Sequence, residues 1–204
     1  MPDATYPKKA EAILDWATLN NIDSFYLLGH SMGGKVAMQM AGMATTTQNK
    51  TQIEKLIVVD IAPVDYQPSH TRILEGLKAI DESQPSSRKE ADTLLSQYES
   101  NLAVRQFLLK NLVRNEQGFK LELAVNNIAD SYSTILKKPV IEAAVNIPTL
   151  FIKGENSDYI VEEYQEAILA AFPNANFKMI AGAGHWLHAE KPLPFTSLVK
   201  RFLQ

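Results

Sequence analysis

The stretch LLGHSMGGKVAM, residues 27–38, runs from one apolar segment into another through glycines that flank a single serine, Ser31. A Gly-x-Ser-x-Gly pattern alone says little: a chain of this length carries about 0.07 copies by chance. Its setting says more. An apolar strand pattern precedes it and a helical pattern, MGGKVAMQMAGMA, follows it. A strand, a sharp turn and a helix are the context in which such a serine is held out as a nucleophile. The strained backbone of that turn needs small neighbours, which Gly29 and Gly33 supply, and Gly34 permits close helix–strand packing. The helix amino terminus directs free N–H groups at the same place and favours negative charge there.

Outward from this turn the pattern is α/β. YPKKAEAILDWATLNN places Ala10, Ile13, Leu14 and Ala17 on one helical face, with Pro7 in the first turn. SFYLLG is almost wholly apolar, as a strand covered on both faces would be. After the helix, residues 45–52 form a polar loop, and EKLIVVD is a second buried strand ending at Asp60. Helix and strand alternate, which implies right-handed crossovers and a parallel sheet.

Residues 61–145 break the rhythm. Ile73, Leu74, Leu77 and Ile80 share a helix face, and Ser87 with Glu90 forms a capping box before Ala91, Leu94, Leu95 and Tyr98. A third helical pattern holds Val104, Phe107, Leu108 and Leu112. GFKLELAV reads as a strand or an extended connection, and NNIADSYSTILKK as a helix stopped by Pro139. This segment is expected to be a helical cap inserted in a core made of residues 1–60 and 146–204. The sheet pattern then resumes with IPTLFIKG, the loop GENSDYI, the helix EEYQEAILAAF, the strand ANFKMI, the loop AGAGHW and a closing helix PFTSLVKRFLQ.

Composition narrows the function classes. The 204 residues carry a formal charge of −3, too mild to suggest a nucleic-acid partner. The chain has no cysteine, which rules out disulfides, thiolate metal sites and a cysteine nucleophile. No apolar run reaches the ~18 residues of a membrane span, and the first residues lack a secretory pattern. A cytoplasmic protein is expected.

A serine hydroxyl needs a base. Four histidines are present: His30 inside the turn, His70 in the expected cap, and His185 and His188 after the last strand. A loop at His185 can bring its imidazole to the carboxyl edge of the sheet, where Ser31 also lies. His188, one helical turn on, reads as a structural or surface histidine. The imidazole in turn needs a carboxylate to hold its tautomer. Asp60 and Asp158 both end up beyond sheet strands in the order Ser…acid…His or compatible with it, Asp65 is a weaker third candidate, and Ser157 could assist the carboxylate but not replace its charge.

The four blocks GHSMGGK, VVDIAPVDY, GENSDYI and GAGHWLHAEKP, in this order and spacing, resemble α/β-hydrolase esterases of the bacterial YbfF type and their eukaryotic relatives. The resemblance runs over nearly the whole chain. It implies an α/β-hydrolase sheet with Ser31 as nucleophile, His185 as base and Asp60 as acid. It matches Ser157 to a serine of the family's loop and leaves Asp158 as second choice for the acid. It implies hydrolysis of carboxylic esters or acyl thioesters without a cofactor or metal. The apolar residues of the expected cap favour short to medium acyl groups.

The family's pattern carries several strands and a His-Gly loop ahead of the serine turn, where this sequence has one helix. Met32 is therefore expected to supply one oxyanion donor, while the family's second comes from that loop. Two readings follow: an esterase or thioesterase, or a hydrolase-like module that binds acyl ligands or another chain with impaired catalysis. The strand before Ser31 is expected to present an open edge that pairs with a second copy or another chain.

Overall fold

The computed structural model describes residues 4–46 and 52–204. The loop expected at residues 45–52 falls largely outside them. Helix α1 (Tyr6–Leu19) leads to strand β1 (Ser24–His30), helix α2 (Met32–Thr46) and strand β2 (Gln52–Val59). After a long excursion come β5 (Thr149–Gly154), α8 (Gln165–Ala171), β6 (Ala175–Ile180), α9 (Leu187–Glu190) and α10 (Pro192–Leu203). The four strands form one sheet in the order β1-β2-β5-β6, every pair parallel. This is the α/β architecture expected from the alternating pattern.

Alternation along the strands explains why the sheet is stable with helices on both faces. Leu56 and Val58 of β2 and Phe151 of β5 enter one core with Ala10 and Leu14 of α1, Met38 and Met40 of α2, and Ile168 of α8. Ile57, Val59, Leu150 and Ile152 point the other way, into a second core with Leu187, Phe195 and Leu198. Successive side chains on a strand leave on opposite faces, so a continuous apolar run is what two covered faces require. β1 departs from that expectation. Phe25 and Leu27 pack against the first core, but Tyr26 and Leu28 are exposed. β1 is the end strand of the described sheet and buries only one face.

The chain divides into a unit of residues Pro2–Tyr66 and Lys137–Gln204, which holds the sheet, and a unit of residues Gln67–Leu136. The expected boundaries, 61 and 145, are too wide because Ile61, Ala62 and Val145 are buried in the core of the sheet unit. The second unit contains α3 (Thr71–Ser83), α4 (Arg88–Leu95), α5 (Leu102–Leu108), β3 (Leu112–Asn115), β4 (Gly118–Leu121), α6 (Val125–Asp130) and α7 (Tyr132–Leu136). Leu77, Ile80, Ala91, Leu95, Leu112 and Leu121 share its core.

Three expectations for this unit change. Leu112 belongs to no helix: it opens an antiparallel hairpin, β3–β4, that satisfies the backbone of GFKL. The single helix expected over NNIADSYSTILKK is two short ones divided at Ser131. The capping box is half made. Ser87 Oγ accepts from Glu90 N–H at 3.2 Å, but the Glu90 carboxylate turns to the Ser86 N–H and hydroxyl.

Candidate active site

β1, β2 and β5 run side by side, so the residues following them meet at one edge of the sheet. Ser31 leaves β1 in the left-handed region, φ 54°, and its N–H still bonds Val59 O at 2.9 Å. Its own carbonyl accepts from Gly34 N–H at 2.8 Å and starts α2. The turn closes so tightly that a Cβ on Gly29 would overlap the carbonyl of Gly33, and one on Gly34 would lie 2.5 Å from Ile61 Cγ2. Gly33 itself has open space around that position. Of the two glycines expected to keep the serine's neighbourhood small, Gly29 does so by shape.

Asp60 leaves β2 in the same way, with φ 52°, and its N–H bonds Ile152 O at 2.8 Å. A left-handed aspartate is uncommon and persists only when its surroundings over-determine it. Here they do. Asp60 is completely buried, its Oδ1 accepts from Gly154 N–H at 3.0 Å, and its Oδ2 accepts from the Ser157 hydroxyl and from His185.

His185 reaches the site from the loop after β6. Its Nδ1 lies 2.7 Å from Asp60 Oδ2 and its Nε2 lies 2.9 Å from Ser31 Oγ. An ionised carboxylate only accepts, so Nδ1 carries the proton and Nε2 is left to accept from the serine hydroxyl. The Tyr159 ring stacks on the imidazole, centroids 4.0 Å apart and planes 28° apart. The approach of the loop to β5 again depends on a missing side chain, since a Cβ on Gly154 would overlap the Gly184 carbonyl.

The structure thus brings Ser31, His185, Asp60 and Ser157 into one continuous chain of hydrogen bonds. Asp158 stands apart from it: the residue is exposed beside the buried Ser157. Asp65 lies elsewhere, receiving Lys137 Nζ at 3.0 Å and Lys138 N–H at 2.7 Å, and these contacts hold its carboxyl below the ordinary range. His70 precedes α3 and contacts Tyr132. His188 packs edge-on against His30, centroids 4.7 Å apart. Met32 is the first residue of α2, where a helix leaves N–H groups without intrahelical acceptors.

Sequence reasoning missed two neighbours. His30 Nε2 lies 2.8 Å from the His185 carbonyl oxygen, and Glu190 accepts from Gly184 N–H at 2.8 Å and Trp186 N–H at 3.2 Å. Burial pushes His30 down to about 4. No group of three or more histidines and carboxylates suited to a metal occurs among the described residues.

Comparison with known proteins adds the following. The family described as alpha/beta hydrolase matches residues 2–197. Esterase YbfF of Escherichia coli (strain K12) is 38% identical over 203 residues, covering 99% of this chain and 76% of the relative. The sn-1-specific diacylglycerol lipase ABHD11 of Mus musculus is 36% identical over 208 residues, covering 99% of this chain and 66% of the relative. A solved structure, a marine microorganism esterase, superimposes with a TM-score of 0.90 at 38% identity, covering 99% of this chain and 78% of that one.

Proposed function

From the premise that this chain belongs to the alpha/beta hydrolase family, we propose that it cleaves carboxylic esters or acyl thioesters through Ser31, with His185 as base and Asp60 as acid. The observation that carries this reading is the uninterrupted line of hydrogen bonds from Ser31 Oγ through the imidazole to a buried carboxylate. Relatives named esterase and diacylglycerol lipase support the same chemistry.

In this mechanism Ser31 Oγ attacks the acyl carbon as its proton passes to His185 Nε2. Asp60 stabilises the imidazolium through Nδ1–H, and Ser157 and Gly154 N–H hold the carboxylate in place. The Met32 N–H, at the start of α2, donates to the oxyanion. The tetrahedral intermediate collapses, the C–O or C–S bond to the leaving group breaks, and His185 returns the proton to that group. Water then attacks the acyl-serine with His185 again as base, releasing the acid and restoring the hydroxyl. Nothing in this sequence needs a metal or cofactor.

Short to medium acyl groups are the proposed substrates, although Leu77 and Leu112 of the inserted segment fill its own core and lend this no support. The test is hydrolysis of p-nitrophenyl acetate, butyrate and octanoate beside p-nitrophenyl phosphate. Acyl esters should be turned over, and both Ser31→Ala and His185→Ala should abolish nearly all of it. Turnover of the phosphate alone, or activity retained in both variants, would refute the reading.

We further propose that β1 pairs through its outer edge with a strand of a second copy of this chain. Tyr26 and Leu28 are exposed on the end strand of the described sheet, and an open ladder edge invites pairing. Light scattering after size exclusion should find more than a monomer. A compact monomer at high concentration would contradict this.

A further inference from the structure

The proposed base, His185, sits in a glycine-rich loop, residues 181–186, between β6 and α9. Neighbouring backbone fixes only part of that loop: Ala183 N–H reaches Ile180 O at 3.4 Å, and Ala183 O accepts from Asn156 N–H at 2.8 Å. Side chains hold the residues around His185. The Glu190 carboxylate accepts from Gly184 N–H with one oxygen and from Trp186 N–H with the other, so it spans His185 from both sides. From the strand side, His30 Nε2 meets the carbonyl of His185 itself. A carbonyl cannot donate, so His30 carries its proton on Nε2. The His30 ring also lies against the His185 ring, centroids 4.7 Å apart and planes tilted by 39°.

We propose that His30 is a positioning residue for His185, with Glu190 as its counterpart on the other side of the loop. Together they fix the peptide groups that carry the imidazole, so that Nε2 stays at Ser31 Oγ while Nδ1 stays at Asp60. The residue preceding the nucleophile thereby ties the base to the strand that presents the serine, 155 positions away in sequence. His30 does this as a neutral ring, consistent with its low proton affinity. A charged ring there would oppose the imidazolium that forms next to it. Displacing a catalytic group by ~1 Å costs on the order of 10²-fold in rate, which sets the scale of the expected effect.

This inference rests on the serine-hydrolase reading, and the experiment separates the two. Hydrolysis of p-nitrophenyl butyrate and the labelling rate with a fluorophosphonate are measured for the parent, His30→Phe, His30→Gln, Glu190→Ala and Ser31→Ala. His30→Phe keeps a ring and removes the donor; His30→Gln restores an N–H of similar reach. His30→Phe should lower kcat and the labelling rate by about 10- to 100-fold with KM nearly unchanged, and should shift the acidic limb of kcat/KM. His30→Gln should recover most of the loss and the parent pH profile. Equal impairment in His30→Phe and His30→Gln, or His30→Phe kinetics within about twofold of the parent, would overturn the proposal. If circular dichroism shows that His30→Phe does not fold, Glu190→Ala reads the loop from its other side. It should lower kcat about 10-fold without raising KM, and an unchanged kcat would overturn the proposal. Undiminished labelling or hydrolysis in Ser31→Ala would mark failure of the serine-hydrolase reading itself, and this proposal would fall with it.

Discussion

The sheet unit and the inserted unit treat polarity and backbone strain differently. Every buried polar or charged residue among those described, namely Lys35, Gln39, Asp60, Thr149 and Ser157, belongs to the sheet unit. The core of the inserted unit is apolar throughout. Left-handed residues other than glycine occur in both units, and a helix ending accounts for one in each. In the inserted unit, Gln84 adopts that conformation where α3 stops, an ordinary helix ending. In the sheet unit, Asn21 adopts it where α1 stops, and Ser31 and Asp60 adopt it at the ends of neighbouring strands, where both hydrogen-bond to His185. The same backbone conformation ends a helix in both units, and only in the sheet unit does it also follow strands. What sets the two strand-end residues apart is their shared bond to the His185 imidazole.

Buried polarity in the sheet unit also has a structural share. Lys35 is buried, donates to Lys137 O at 2.6 Å and lies over the Tyr66 ring, 4.7 Å from its centroid. Burial lowers its proton affinity to about 8. Gln39 exchanges two hydrogen bonds with the Val140 backbone, at 2.7 and 2.8 Å. These residues anchor the chain where it re-enters the sheet unit.

The contrast is sharpest at the carboxylates. Asp60→Asn should lower kcat by about 10³- to 10⁴-fold, because an amide favours the wrong imidazole tautomer. Asp158→Asn should change kcat by less than about threefold, since its exposed side chain lies outside the hydrogen-bonded chain. Steady-state kinetics on p-nitrophenyl butyrate decide the ranking, and the reverse order would move the acid to the later loop.

Glycines of the turn provide the next comparison. Gly29→Ala meets the Gly33 carbonyl and should abolish labelling or folding, whereas Gly33→Ala meets open space and should retain both. Equal damage from the two would show that steric closure of the turn is not what Gly29 provides. In the inserted unit, Leu95→Ala should cost about 2–4 kcal/mol in urea unfolding through the cavity it leaves. The folded fraction should still label at the parent rate. Loss of labelling in the folded protein would break the division between a reactive unit and a packing unit.

Acid should expose the smallest effect. His30 is held at about 4, first by burial and then by the nearby His185 and His188, with the His185 carbonyl and Asp60 acting in the opposite direction. The unfolded chain therefore binds more protons than the folded one between about 4 and the ordinary histidine value near 6.5. Stability from a neutral His30 is complete above that window and is lost as pH falls through it. His30→Gln lacks this loss, so the difference in urea midpoint between parent and variant should shift in the variant's favour from pH 7 to pH 4.5. A constant difference would mean that His30 does not titrate in that window.

Much of the sheet unit was legible because its signals are local. A serine between glycines, two apolar strands and a histidine in a glycine loop each lie within a dozen residues. Asp60 was reached through chain order and resemblance, since its left-handed conformation and complete burial have no local signature. The inserted unit was read less well. Val104, Phe107, Leu108 and Leu112 keep helical spacing, yet after a tight 3-10 turn at Leu109–Asn111 the chain enters a hairpin at Leu112, where β3 and β4 pair with one another. The bond from His30 to the His185 carbonyl was invisible to any local pattern, because it exists only after β1 and the loop after β6 meet. The exposed face of β1 escaped for a related reason: apolar composition records what a strand can bury, not where in the sheet it stands.

The central claim is that folding places an activated serine at position 31. Reaction with a fluorophosphonate followed by peptide mass spectrometry tests it most directly. The account predicts one phosphonyl adduct, on Ser31, formed at pH 7 to 8 and lost in His185→Ala. An unmodified Ser31, or an adduct that forms equally fast without His185, would contradict it.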